Sequence, residues 1–196
     1  MDPEIEKLRK PGHKILDVIK NRWSPRAMTG EEISDEELMS LFEAARWAPS
    51  SFNNQPWRFI YAKRNTPEWN DIFSLMVEFN QGWTKNAAVL LVVISKNTFD
   101  HNNKPAHTHS YDTGAAWMSL ALEGTSRGLV VHGMEGFNYE KAKTVLGIPD
   151  GFTVEAMAAI GKKAPKESLP PALQPKEVPS PRRPIEEILM KGKFRS

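Results

Sequence analysis

The 196-residue sequence contains no cysteine. This absence excludes disulfides, thiolate nucleophiles and cysteine-ligated iron–sulfur clusters. Any electron transfer would therefore depend on a bound organic cofactor or on a metal with other ligands. A chain without cysteine also fits the reducing cytosol, and we expect a cytoplasmic location.

Long apolar runs and strong net charge are missing as well. The longest apolar run covers residues 87–94, far short of the ~20 residues of a membrane span. The net charge is +2, and no basic run resembles the clusters that bind nucleic acids. The first residues lack the basic-then-apolar layout of a secretion signal. We therefore expect neither a membrane nor a nucleic acid as partner.

Periodic apolar residues predict mixed helices and strands in one domain. Helices are expected over residues 13–21, from Ser34 with its capping-box partner Glu37, from Pro67, and over 111–127, 138–146 and 185–191. Strands are expected over 58–62, 87–94, 129–132 and 153–160. This pattern indicates an α+β or α/β fold.

Two irregular segments interrupt this pattern. Residues 96–110 are polar and predict a mobile excursion. Residues 162–184 contain seven prolines, which favours an extended arm that embraces another subunit.

The loop between the second helix and the first strand is unusually rich in hydroxyl and amide groups. It reads Ala48-Pro49-Ser50-Ser51-Phe52-Asn53-Asn54-Gln55-Pro56-Trp57. A simple helix-to-strand connection needs only a capping residue and a turn. Uncharged donors and acceptors in this number suit a ring edged with carbonyl and N–H groups. The loop therefore predicts a ligand contact.

Arginine pairs mark two candidate phosphate contacts. Arg22, Ser24 and Arg26 alternate in a segment that Pro25 keeps out of a regular helix, so an extended chain would place all three on one side. Guanidinium groups pair well with phosphate oxygens. Arg182-Arg183 forms a second pair. Taken alone, both sets are also explained as solvated charges.

Other polar clusters carry weaker signals. Glycines around Met134 and Glu135, including Gly136, would let backbone N–H groups approach a ligand, although a plain turn explains them equally well. The histidines of the 96–110 segment favour a surface lid over a metal site. No Gly-x-Gly-x-x-Gly fingerprint and no nucleophile elbow is present. We expect no metal site and no Ser/His/Asp hydrolase arrangement.

Together and in this order, these pieces resemble the nitroreductase family of FMN-dependent oxidoreductases. The resemblance spans residue 13 to about residue 190. Its matching stretches are Arg22-Trp23-Ser24-Pro25-Arg26, the whole loop from Ala48 to Trp57, Asp112-x-Gly114-x-Ala116, Gly133-Met134-Glu135-Gly136-Phe137, and Arg182-Arg183-Pro184.

The resemblance implies an α+β fold with a central, mostly antiparallel sheet flanked by helices. It implies one FMN-binding domain over residues 1–196, with 162–196 as a C-terminal arm. Two such chains would form a homodimer with exchanged arms, and FMN would lie at the subunit interface.

The resemblance also assigns the FMN contacts. The ribityl phosphate would be held by Arg22, Ser24 and Arg182, or by Arg183 in place of Arg182, with Trp23 beside them. Arg26 would lie near the N1–C2 edge of the flavin, and Met134, Glu135 and Gly136 near N5 and O4. The partner subunit would supply its own copies of Pro49, Ser50, Ser51 and Asn53, and Gln55 would support that loop.

The implied activity is an NAD(P)H-dependent reductase. NAD(P)H would pass hydride to flavin N5, and two electrons would then go to a nitroaromatic, a quinone or a similar acceptor, in a ping-pong cycle. Two alternatives stay open: a family offshoot such as a reductive dehalogenase, and a flavin-binding module without turnover. The sequence names neither the physiological acceptor nor the preferred nicotinamide cofactor.

Overall fold

The computed structural model describes residues 3–194. The helices of this part are α1 (Pro3–Leu8), α2 (Asp17–Asn21), α3 (Asp35–Arg46), α4 (Trp69–Phe73), α5 (Glu78–Thr84), α6 (His109–Ser126) and α7 (Tyr139–Leu146). The strands are β1 (Trp57–Lys63), β2 (Val89–Lys96), β3 (Leu129–Met134) and β4 (Phe152–Lys162). None of the helices within residues 3–194 has the length and apolar character that crossing a membrane requires.

The four strands form one antiparallel sheet in the order β1-β2-β4-β3. β2 and β4 are central, and the side chains of β2 from Val89 to Ser95 are all buried. The register shifts between Val93 and Ile94, which leaves Glu155 of β4 unpaired as a bulge. The expected α+β fold with an antiparallel sheet flanked by helices is confirmed.

Alternate residues of β2 serve two hydrophobic cores, one on each face of the sheet. Leu90 and Val92 join the core beneath α4, α5, α7 and the arm. Val89 and Leu91 join the core formed with α3 and α6. Successive side chains of a strand point to opposite faces, so a strand covered on both faces is apolar throughout.

The residues that begin α3 and end α7 act as the sequence predicts. The Ser34 hydroxyl accepts from the Glu37 N–H at 3.1 Å, and the Glu37 carboxylate accepts from the Ser34 N–H at 3.1 Å. The first residue after α7, Gly147, has φ 62°, a left-handed conformation that glycine adopts at little cost. The capping box and the C-terminal glycine are confirmed.

Two helix predictions were wrong in extent. The helix expected over 13–21 begins only at Asp17. The helix expected from Pro67 is divided into α4 and α5, because Met76 pairs with Phe137 and the Val77 N–H donates to the Gly136 carbonyl oxygen at 3.0 Å. These long-range bonds interrupt the helix, and Phe79, in α5, is exposed.

Two further elements differ from prediction. The strand predicted over 58–62 from its mostly apolar residues, and therefore expected to be buried, is the edge strand β1, and Arg58 and Tyr61 on it are exposed. The final helix expected over 185–191 is a single 3-10 turn, Ile185–Glu187.

The proline-rich arm follows directly after β4 and lies against its own chain. Leu169 and Leu173 are buried in the core beneath α4, α5 and α7. Lys162, the predicted first residue of the arm, is still part of β4. The predicted single domain over 1–196 and its arm over 162–196 include residues 1–2 and 195–196, which lie outside the described residues. Both boundaries therefore stay predictions.

Candidate functional site

The arm, the N-terminal segment and α6 line a partly open cavity of about 880 Å³. One wall is apolar and includes Ile15, Ile19, Trp117 and Met118. Most charged side chains around the cavity are basic, namely Arg9, Lys10, Lys20, Arg22, Arg182 and Arg183, and Glu186 is acidic. A pocket of this size, partly apolar and partly cationic, suits a flat organic ligand that carries an anionic group.

Arg22 and Arg9 anchor the basic side of this cavity. The Arg22 Nη1 donates to the Ser24 hydroxyl at 3.3 Å. The Arg9 Nη1 donates to the carbonyl oxygens of Lys20 at 2.9 Å and of Arg22 at 2.5 Å. Arg9 thereby ties the segment after α1 to the end of α2, and it places a second guanidinium beside Arg22.

The arginines of the cavity repel one another without a compensating carboxylate. Burial lowers the pKa of Arg22, and the positive charge of Arg182 lowers it further. The pKa of Arg9 is lowered by burial first and then by Arg182 and Arg22. Within residues 3–194, none of these three guanidiniums forms an ion pair with an acidic group. The cluster is therefore suited to an anion from outside the chain.

Arg26 does not join this cluster, so the prediction that it shares one side with Arg22 and Ser24 was wrong. Its side chain lines a second cavity of about 280 Å³ together with Trp83, Lys85 and Ser168. The physical reason lies in the backbone, because hydrogen bonds fix the Arg26 and Ala27 N–H groups against the arm.

Trp23 is half-buried, and its ring lies 5.1 Å from the Lys163 Nζ. It is absent from both cavity linings.

His132 fixes the Arg22–Arg26 segment through a hydrogen bond to its backbone. Its Nδ1 lies 2.8 Å from the Pro25 carbonyl oxygen. A carbonyl can only accept, so the Nδ1 carries the proton. Burial lowers the pKa of His132 to about 4, and Arg26 and Arg22 act in the same direction. The imidazole is therefore neutral near pH 7, and it packs against Trp83 with ring centroids 4.5 Å apart.

The amide-rich loop has a strained backbone. Phe52, Asn53 and Gln55 have φ of 53°, 52° and 49°, a left-handed conformation that is unfavourable for residues other than glycine. Internal bonds stabilise it: the Ser50 hydroxyl accepts from the Gln55 N–H at 3.0 Å, and the Gln55 Nε2 donates to the Asn53 carbonyl oxygen at 3.0 Å. Such strain is typical of functional sites.

The same loop is fixed to α6 and does not line the large cavity. The Asp112 carboxylate, which is buried, accepts from the Ser51 N–H at 3.0 Å. Pro49, Asn53 and Gln55 are exposed, and no residue of the loop lines either cavity. Within one chain, the structure therefore does not bring this loop together with Arg22 and Arg182.

The chain after β3 passes close to α5. The Gly136 carbonyl oxygen accepts from the Asn80 Nδ2 and the Val77 N–H, both at 3.0 Å. Among the residues that the structure describes, no group accepts a hydrogen bond from the Gly136 N–H. Met134 is buried and Glu135 is exposed. The turn therefore presents a backbone donor that is available to a ligand.

Gly136 leaves no room for a side chain. A Cβ at this position would lie 2.6 Å from the Asn80 Nδ2 and 3.2 Å from a Val77 methyl group. We expect Gly136→Ala to lower the free energy of unfolding by ~1–3 kcal/mol through overpacking. Gly114→Ala is the control, because a Cβ there meets nothing within 4 Å and alanine is the better helix former. Urea unfolding measures both, and equal stabilities would contradict the close approach.

Several residues of the site carry no sequence signal that points to it. Arg9, Asn80, His132 and Glu177 act through contacts with residues distant in sequence, and none belongs to a recognised spacing. Asp112 belongs to a stretch that the resemblance includes, but its contact with the loop was not predicted. Within the described part of the chain, no group of three or more His, Cys, Asp or Glu side chains is placed to hold a metal ion.

Comparison with known proteins supports the fold described above. The Nitroreductase family model matches residues 19–162. A crystal structure described as an oxidoreductase containing FMN is 43% identical, with a TM-score of 0.91, and the match covers 95% of this chain and 96% of that one.

Two curated relatives match over shorter stretches. The major NAD(P)H-flavin oxidoreductase of Aliivibrio fischeri is 29% identical over 94 residues, which cover 46% of this chain and 43% of that protein. The oxygen-insensitive NADPH nitroreductase of Helicobacter pylori is 36% identical over 64 residues, which cover 33% of this chain and 30% of that protein. Each match thus spans less than half of the relative's length. Since the family model covers most of the sequence, the chain belongs to the nitroreductase family.

Proposed function

We propose that this protein is an FMN-dependent oxidoreductase that takes electrons from NAD(P)H. The observation that carries the proposal is the uncompensated pair of guanidiniums, Arg22 and Arg182, at one end of a large, partly apolar cavity. In a ligand that joins a phosphate to a flat ring system, the phosphate would pair with the guanidiniums and the ring would pack against the apolar wall. The similar crystal structure described as containing FMN supports the same assignment.

The buried polar groups also fit a ligand rich in acceptors. Two side chains that line the large cavity carry buried atoms without a hydrogen-bond partner, the Arg9 Nε and the Trp117 Nε1. Buried donors are rarely left unpaired. Both atoms are donors, whereas FMN offers phosphate, hydroxyl and carbonyl oxygens. The residues present therefore fit FMN.

In this proposal each group has one task. Arg22 and Ser24 hold the phosphate together with Arg182 or Arg183, and Trp23 supports the segment. The Gly136 N–H, with Met134 and Glu135 beside it, would donate to the N5–O4 edge of the flavin. Arg26 lines the second cavity, and it would act on the N1–C2 edge through its positive charge and not as a lining residue of the large cavity. Bound FMN would supply the chemistry of hydride acceptance and two-electron transfer, so no side chain is required as an acid or base.

A homodimer explains the exposed loop. Exposed apolar side chains lie on the loop, on the arm and before α2, including Phe52, Ile188 and Leu16, which are 80%, 70% and 69% exposed. Exposed apolar surface of this kind favours an interface between subunits. The loop residues Pro49, Ser50, Ser51, Asn53 and Gln55 then contact the FMN of the neighbouring subunit. Exchange of the C-terminal arms belongs to the same proposal.

The proposed cycle is ping-pong, with a nitroaromatic, a quinone or a related compound as electron acceptor. The nicotinamide and the acceptor use the same open face of the flavin in turn, and the site positions each of them for transfer. The relatives named as NAD(P)H-flavin oxidoreductase and NADPH nitroreductase support this choice of substrates.

Steady-state kinetics with purified, FMN-loaded protein test the proposal. NADH and NADPH are each varied against nitrofurazone and menadione, and parallel double-reciprocal lines are expected. The apoprotein without FMN is the control and should show no turnover. A loaded protein that consumes neither nicotinamide with any acceptor would instead be a flavin-binding module.

A further inference from the structure

One buried carboxylate of the arm anchors the Arg22–Arg26 segment. Glu177 is 3% exposed. Its Oε1 accepts from the backbone N–H groups of Arg26 at 2.7 Å and of Ala27 at 2.9 Å, and its Oε2 accepts from Arg26 at 3.0 Å. Glu177 and Arg26 lie 151 positions apart in sequence, so this contact joins two distant parts of the chain.

Charge neutralisation does not explain this carboxylate. Within residues 3–194, Glu177 forms no ion pair with a lysine, arginine or histidine. An unpaired buried charge is costly unless its hydrogen bonds compensate. Both carboxylate oxygens are used by backbone N–H groups, so the position of the backbone is what Glu177 determines.

That backbone lies at the boundary of the cationic cluster. Residues just after Arg26 are fixed independently: the Ala164 N–H donates to the Ala27 carbonyl oxygen at 3.0 Å, and the Thr29 N–H donates to the Lys162 carbonyl oxygen at 3.0 Å. Before Arg26, the described anchors are the His132 bond to Pro25 and the Arg9 bond to the Arg22 carbonyl oxygen. Glu177 therefore fixes the point at which the segment carrying Arg22 leaves the sheet.

The same residue also fixes the arm. Arg182 follows Glu177 by five positions, and a chain of that length reaches ~18 Å at most. The residues between them include Pro179, which is buried, and Pro181, and each proline restricts the backbone further. One carboxylate thus holds the two chain segments that supply Arg22 and Arg182 to the cavity.

We infer that Glu177 is a positioning residue for the phosphate of FMN. By holding both chain segments, Glu177 sets the separation between Arg22 and Arg182. The inference rests on the proposed function. Two effects oppose each other here. The negative charge of Glu177 repels a phosphate, whereas its bonds to Arg26 and Ala27 hold the two arginines in place for it. If positioning dominates, removing Glu177 weakens FMN binding; if repulsion dominates, removal strengthens it.

The test compares FMN with riboflavin, which has the same ring but no phosphate. Flavin fluorescence titration of the apoprotein gives both affinities for the wild type, Glu177→Ala and Glu177→Gln. Glu177→Ala should bind FMN about tenfold more weakly, since the N–H groups of Arg26 and Ala27 lose their acceptor and Arg22 and Arg182 are no longer held in place. Riboflavin binding should not change. Glu177→Gln keeps one oxygen acceptor and should show a smaller loss. Glu167→Ala, which removes an exposed carboxylate of the same arm, should match the wild type.

Each other outcome overturns the inference in a recognisable way. Equal weakening of FMN and riboflavin would mean that Glu177 only stabilises the fold, and tighter FMN binding would mean that repulsion dominates. An unchanged ratio in both variants would also overturn it. If Glu177→Ala does not fold, Glu177→Gln decides the question. A wild type without any preference for FMN would overturn the proposed phosphate site itself, whereas a preference that survives in the variants overturns only the role of Glu177.

Discussion

Replacing Arg22 with alanine should weaken FMN binding about tenfold to a hundredfold, because a hydrogen bond from a charged donor contributes ~1.5–3 kcal/mol. Riboflavin affinity should change far less, since riboflavin lacks the phosphate. The apoprotein should be no less stable than the wild type. Burial and Arg182 lower the pKa of Arg22, which means that the folded protein disfavours its charge until an anion arrives.

Arg127→Ala is the matched control for this substitution. It removes the same charge from an exposed position, where the guanidinium pairs with Glu123 instead of facing the cavity. Its affinities for both flavins should equal those of the wild type. Added salt should reduce FMN affinity in the wild type more than in Arg22→Ala, because salt screens charge interactions. A loss of riboflavin and FMN affinity in equal measure would contradict the assignment of Arg22 to the phosphate.

Acidification should destabilise the protein through His132. This histidine has a pKa of about 4 in the folded chain, against 6.5 for an ordinary histidine. The unfolded chain therefore binds more protons between these values, so stability is complete above pH 6.5 and falls as the pH drops towards 4. The contribution of this one group reaches about 3 kcal/mol at most.

His132→Asn isolates that contribution. Asparagine offers an N–H group that can reach the Pro25 carbonyl oxygen, but it does not titrate. Urea unfolding at several pH values should show a shallower loss of stability in the variant than in the wild type between pH 6.5 and 4. His107→Asn, at an exposed position, should leave the wild-type slope unchanged. Parallel slopes in the wild type and His132→Asn would contradict the depressed pKa.

The sequence predicts the elements whose causes are local. Ser34 and Glu37 are three residues apart, so their capping box is visible in one turn, and Gly147 ends α7 for an equally local reason. The apolar run of β2 predicts a strand buried on both faces. Each of these signals lies within the element that it defines.

Predictions failed where distant contacts decide the structure. The pairing of Met76 with Phe137 divides the helix expected from Pro67, and no periodicity within 66–79 encodes it. β1 lies at the edge because of the strand order, which a single strand's composition does not reveal. The hydrogen bond that Glu177 accepts from the Arg26 N–H likewise helps to place Arg26 in a different cavity from Arg22.

Anaerobic reduction of the FMN-loaded protein tests the central claim most directly. The protein is mixed with a stoichiometric amount of NADPH or NADH under argon while the visible absorbance of the flavin is followed. The proposed function predicts rapid bleaching with at least one of them, and return of the colour when an acceptor such as menadione is added. Flavin that stays oxidised with both nicotinamides, in protein that retains its FMN, would contradict the proposal that this chain is an NAD(P)H-dependent oxidoreductase.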